Sequence, residues 1–117
     1  MDEAEFKART KRLALEVLGL VGELPRTAAG QVIARQLAKS GTSVAANYRA
    51  ACRARSLVDM VSKLGIVEEE ADESMFWLEL IVESGMLPSS RVTAVSREAE
   101  EILSMTVASI RTLKTKR

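Results

Sequence analysis

Residues 31–56 read QVIARQLAKSGTSVAANYRAACRARS, and the way this stretch sorts on a helix decides the fold. At about 100° per residue its side chains separate into stripes. Ile33, Leu37, Val44, Tyr48 and Ala51 share one apolar face, as a helix packed on a core requires. Diametrically opposite lie Arg35, Lys39, Arg49 and Arg53, with Thr42 and Ala46 between the two pairs. One flank carries Ala34, Ala38, Gly41, Ala45 and Cys52, a ridge of small residues that lets a second helix backbone come close. The other flank carries Gln36, Ser43 and Asn47. Such a helix belongs inside a bundle, and none of its stripes displays recognisable chemistry.

Working outward, the N-terminal side predicts a helix over 2–24, with Asp2, Glu3 and Glu5 at its positive end and Pro25 as its stop. Phe6, Leu13, Val17, Leu20 and Leu24 form its buried seam, while Leu15 and Leu18 fall on the other side, as if it were covered from two directions. Thr27 is the N-cap expected for the helix that follows. On the C-terminal side, Ser56-Leu-Val-Asp59 fits a capping box at the start of a third helix. There Leu57, Val61, Leu64, Ala71, Met75, Leu78 and Val82 keep a 4,3 spacing interrupted by Glu68, which predicts a long bundle seam. Gly85 and Pro88 end it. A fourth helix starts at Ser89 or Ser90, with Val92, Val95, Ala99, Ile102, Leu103, Ile110 and Leu113 turned inward and a basic end over 111–117. The expected architecture is therefore all-α: one domain over 1–117, an up-down antiparallel four-helix bundle.

Composition agrees. Of 117 residues 47% are apolar but only 3% aromatic, with six glycines and two prolines, which favours helices over turn-rich sheets. Net charge is +1, yet it is unevenly laid out: −1 over 1–23, +6 over 24–63, −7 over 64–88 and +3 over 89–117. Alternating basic and acidic helices are expected to pair, within the fold or between copies of it. The basic face keeps two readings. Arg35, Lys39, Arg49, Arg53 and Arg55 are candidate phosphate contacts for a nucleic acid. Alternatively they meet Glu69, Glu70, Asp72, Glu73 and Glu79 of the acidic helix, in the same subunit or a neighbour, and the +6 against −7 balance favours that pairing. No aromatic interleaves with the basic stripe, so base stacking is not indicated.

A second apolar set, Ile66, Trp77 and Leu80, lies opposite the seam of the third helix among Asp59, Glu69, Glu70 and Glu73. Tryptophan is enriched at interface centres, so this face is a candidate subunit contact; the alternative is an indole lying partly exposed along the helix.

Catalysis has little to work with. The sequence has no histidine, which removes Ser-His and Cys-His pairs and the common zinc sites. No glycine-rich phosphate loop occurs. Glu70 and Glu73 have the spacing of a carboxylate metal motif, but its histidine is missing, so they read as a charged face. No cofactor, metal or catalytic residue is expected. The single Cys52 excludes an intramolecular disulfide and reads as a small helix residue, although Arg53 beside it would favour a thiolate. No secretory signal or membrane span is recognisable, so a cytoplasmic protein is expected.

RQLAKSGTSVAANYRAACRARS over 35–56, followed by LVDMVSKLGIVEEEADESMFWLELIVESG over 57–85, resembles the bacterial four-helix-bundle family of 23S rRNA intervening-sequence proteins. The likeness is carried by Gln36-Leu37, Ser40 through Val44 with Ala46-Asn47, Arg53 through Ser56 with Asp59, Lys63-Leu64, Glu70-Ala71, Glu73, and Trp77 through Leu80. Met60 stands where an aromatic is usual in that family, and Glu68 where an apolar residue is usual. The resemblance implies antiparallel helices and a ring-shaped homopentamer. A more distant likeness is to the pentameric accessory proteins of diversity-generating retroelements, and it implies a basic surface that engages RNA and a reverse transcriptase. The expected function is a non-enzymatic homo-oligomeric scaffold for RNA or a ribonucleoprotein; the alternative is an oligomeric protein-interaction module without nucleic acid.

Overall fold

A computed structural model describes residues 2–116, most of them in four helices: α1 (Glu3–Val21), α2 (Ala28–Cys52), α3 (Leu57–Glu83) and α4 (Ser89–Lys114). Each start has a local cause. The Asp2 carboxylate accepts from the Glu5 amide at 2.8 Å, Thr27 Oγ1 from Gly30 at 3.1 Å and Ser56 Oγ from Asp59 at 3.0 Å, each satisfying an amide that the first turn leaves unpaired. The box at Ser56 is only half formed: Asp59 is too short to reach back and instead meets Lys63 at 3.6 Å. Pro88 caps α4 without a side-chain bond, its fixed φ suiting the entry.

Helix ends follow the same logic. α1 stops at Val21, three residues before the expected Leu24. Gly22 weakens the helix, and the Glu23 and Leu24 amides turn back to Leu20 and Val21, which still delivers Leu24 to the core. α3 ends in a Schellman motif, with Gly85 N–H on Val82 O and Met86 N–H on Ile81 O, both at 3.0 Å. That motif needs a left-handed residue, and Gly85 supplies it at φ 76°.

Short connections force consecutive helices to run antiparallel. α1 packs on α2, α2 on α3 and α3 on α4, and a thinner α1–α4 seam closes the ring, giving a rod of 48 × 21 × 20 Å. The expected seams of α1 and α2 are all buried. The seam of α3 differs: Leu64, Val67, Ala71, Ser74, Leu78 and Ile81 are buried, whereas Leu57, Val61, Met75 and Val82 are only half-buried. The helix is rotated from its expected phase because Ser74 is a core residue. This rotation also puts Glu68 at the half-buried edge. In α4, Val92, Val95, Ala99 and Ile102 are buried together with Thr106, while Leu103, Ile110 and Leu113 lie at the margin.

Two adjacent residues of α2 pin its neighbours. A Cβ on Gly41 would come within 2.8 Å of Val17 Cγ1, so α1 and α2 meet at a distance only glycine permits. Ser40 is fully buried and accepts from Ser74 Oγ at 2.9 Å, bridging α2 to α3, while each serine also donates or shares a bond with a backbone carbonyl of its own helix. Thr10 and Thr106 bond the carbonyls of Lys7 and Ile102 in the same way, and among the described residues no buried side-chain polar atom lacks a partner.

The α1–α4 seam is held by charge. Arg9 donates from Nε to Glu98 Oε2 at 2.6 Å, from Nη2 to Glu98 Oε1 at 2.8 Å and to Glu101 at 2.9 Å, and rests Nη1 on Met105 Sδ. The Arg9 and Glu98 side chains are 18% and 19% exposed, so this fork is screened far less than a surface pair. Its hydrogen bonds hold the Glu98 carboxyl below its ordinary value, against the opposing effect of burial.

Two stability predictions follow from these contacts. Gly41→Val should cost about 1–3 kcal/mol by overpacking the α1–α2 contact. Gly65→Ala, where an added Cβ meets nothing within 4 Å, should stabilise by about 0.5–1 kcal/mol through helix propensity. Urea titration of both variants checks the contrast. Because the Glu98 pKa is depressed on folding, its contribution is present above the ordinary carboxylate value and is lost as pH falls through the folded one. Glu98→Gln should therefore lower stability at pH 7 by about 1–3 kcal/mol and flatten the loss of Tm on acidification below about pH 4.5. An unchanged acid slope in thermal scans would reject this role.

Candidate nucleic-acid interface

The outer stripe of α2 is exposed from end to end. Arg35, Lys39, Arg49 and Arg53 all lie on the surface, and Arg55 follows in the α2–α3 connection. None of the five forms an ion pair among the described residues. The ion pairs there are Lys7 with Glu3, Arg9 with Glu98 and Glu101, Lys63 with Asp59, and Arg91 with Glu23. Glu69, Glu70, Asp72, Glu73 and Glu79 of α3 likewise have no cationic partner within ion-pair distance among the described residues. The expected pairing of α2 with α3 within one subunit is therefore not made. Glu70 registers the consequence: burial and then Glu73 push its carboxyl above the usual range, with Lys39 only partly opposing them.

The stripe zigzags along the helix: Arg35 and Arg53, about five full turns apart, point the same way, while Lys39 and Arg49 stand to either side of that line. Lys39 and Arg49 are ten residues apart, which places them about 15 Å apart along the axis and about 80° apart around it. Lys39 leans toward α3 and Glu70, while Arg49 leans toward α1. There, Arg49 and Arg53 border a groove of about 420 Å³ whose floor is Ala45 and Ala46 and whose other bank is Lys7 and Lys11 of α1. The small-residue ridge thus does two things: it lets α1 approach, and it leaves the groove floor low. Lys7 and Lys11 were not singled out by sequence. Their i,i+4 spacing was legible, but which helix they would face depends on the register set at Gly41.

The second apolar set sits closer to the core than its pattern suggested. Ile66, Trp77 and Leu80 are half-buried, and Trp77 and Leu80 pack against the bundle's own core. The indole N–H donates to Glu73 at 3.3 Å. Beside it α3 presents Phe76 outward, 50% exposed and stacked edge-on against Trp77 at 5.1 Å, and near its start Val58 is exposed as well. On α1, Leu15 and Leu18 stay exposed at 61% and 47%; none of the described residues covers that side.

No acid–base or metal constellation emerges. Among the described residues no three His, Cys, Asp or Glu side chains gather as a metal site. The Cys52 thiol is half-buried, and burial pushes it up from its ordinary value, so Arg53 does not make it a ready thiolate. No helix is long and apolar enough to cross a membrane. An apolar cleft at the bundle end, about 340 Å³, is lined by Tyr48, Met60, Leu64 and Leu113 among others.

The sequence model of the family described as 23S rRNA-intervening sequence protein matches residues 2–108. The chain belongs to that family. A crystal structure of a protein of unknown function from the S23 ribosomal protein family, from Bacteroides thetaiotaomicron, superposes with a TM-score of 0.84 at 28% identity, covering 90% of this chain and 97% of the other. None of the curated proteins matches. The region common to the 23S rRNA-intervening sequence protein family takes in the whole groove and both charged faces. Only the last turn and a half of α4 and its basic end lie beyond it.

Proposed function

We propose that the protein is a non-enzymatic, homo-oligomeric scaffold of the cytoplasm whose basic surface binds RNA or a ribonucleoprotein. The observation that carries this reading is the row of exposed cations, Arg35, Lys39, Arg49, Arg53 and Arg55, without a carboxylate partner among the described residues. Phosphate binding by such a row releases counterions and is steeply salt-dependent. Self-association is supported by two separate apolar patches, Leu15 with Leu18 on α1 and Phe76 beside Trp77 on α3. α1 and α3 are diagonal in the bundle, so the patches face different ways, as a closed head-to-tail ring requires. The unpaired acidic face of α3 adds a charge partner for a neighbour's α2. Five subunits is the number that the family resemblance implies, and a ring multiplies a weak patch into a multivalent one.

Those exposed apolar patches also favour a second reading, an oligomeric protein-interaction module with no affinity for nucleic acid.

Light scattering on the purified protein, with absorbance at 260 and 280 nm across the same peak, separates the two. The scaffold reading expects a mass near five subunits with excess 260 nm absorbance; a clean pentamer favours the interaction module, and a clean monomer discards the ring. Arg49→Glu with Arg53→Glu should abolish salt-sensitive RNA retention and leave helicity intact. Phe76→Asp, at an exposed position, should dissociate the assembly without unfolding it, and a particle of unchanged mass would remove the α3 face from the interface.

A further inference from the structure

The α1–α2 groove has a geometry that says more than its charge. Its two banks are each a pair of cations one helical turn apart, Lys7 with Lys11 and Arg49 with Arg53. Such i,i+4 pairs stand about 5–6 Å apart at Cβ, on the order of the separation between adjacent phosphates along one strand. No carboxylate lines the groove, and among the described residues only Lys7 of the four cations forms an ion pair, with the exposed Glu3 at 3.9 Å. Four like charges around one depression repel each other, and a polyanion seated between them would relieve that repulsion.

The floor narrows the choice of ligand. Ala45 and Ala46 bring no donor, acceptor or aromatic face, and no aromatic side chain lines the groove, so it has no platform on which unpaired bases would stack in succession. A strand that is already paired keeps its bases stacked inside the duplex and offers the protein only its sugar–phosphate ridge, which is how double-stranded RNA is engaged by shape and phosphate contacts. We infer that the groove between α1 and α2 seats consecutive phosphates of one strand of an RNA duplex, with Lys7 and Lys11 as contacts on one bank and Arg49 and Arg53 on the other. This rests on the RNA-binding reading and sharpens it. Arg35 and Lys39, about 15 Å or more along α2 from Arg49, lie outside the groove.

The test is a salt titration of binding to a labelled RNA duplex, with its separated single strand and inorganic phosphate as comparison probes. Lys7→Gln with Lys11→Gln removes two contacts from exposed positions, and the slope of log K against log salt should fall by about 0.9 per contact, the value for duplex DNA. Arg35→Gln with Lys39→Gln, outside the groove, should lower the slope by less than the Lys7 and Lys11 variant does. If the Lys7 and Lys11 variant keeps the wild-type slope while the Arg35 and Lys39 variant loses it, the groove assignment is overturned and the RNA-binding reading stands. Tighter binding of the single strand than of the duplex overturns the choice of ligand, as does binding of inorganic phosphate alone. A wild-type protein with no salt-dependent affinity for either RNA form ends the RNA reading itself, and this inference with it.

Discussion

The close contact between Gly41 of α2 and Val17 of α1 is the constraint on which the rest of the arrangement depends. Its neighbour Ser40, one residue away and about 100° around the helix, is tied to Ser74 of α3. Two consecutive positions therefore hold α1 and α3 against α2 at the same level. Antiparallel helices then run in step from that level. Eight residues up α2 from Gly41 is Arg49; eight residues down α1 from Val17 is Arg9, which lies between Lys7 and Lys11 in sequence. The four-cation groove is a consequence of that register, and a slip by one turn would place Arg49 beside a different part of α1.

Charge is sorted by seam. The α1–α4 seam is the thinnest of the four and is closed by the Arg9 fork on Glu98 and Glu101; the α2–α3 seam has an apolar core and a serine bridge and leaves its outer charges apart. That division explains how a chain of net charge +1 can present a basic face and an acidic face at once. Ion pairs strong enough to matter occur where burial shields them, and the exposed ones would contribute little even if made.

Much of the bundle was legible because its signals are local and redundant. The caps at Thr27 and Ser56, the stop at Gly85 and the apolar stripes of α1 and α2 each depend on residues within a turn or two. The seam of α3 was misread at Val67, Ser74 and Ile81 because a serine in the core looks polar in a pattern, and its burial depends on Ser40 in another helix. The same limit hid Lys7 and Lys11: their own helix shows two ordinary surface lysines, and only the partner helix makes them half of a groove. Phe76 was passed over for Trp77, since the phase of α3 that exposes one and half-covers the other follows from Ser74. The interhelix terms, not the intrahelix ones, were the missing information.

The order of packing has a kinetic side. Three of the four helix contacts join consecutive helices across short connections, and only the α1–α4 seam brings together parts of the chain about 90 residues apart. Local contacts close small loops at little entropic cost, and helical bundles of this kind fold on the microsecond to millisecond scale. The α1–α4 seam must wait until the intervening helices are in place, and what then latches it is a guanidinium fork in place of a broad apolar surface. Ring closure of the bundle is thus the step most exposed to acid, and α1, which carries half of the groove, is the helix whose docking it secures.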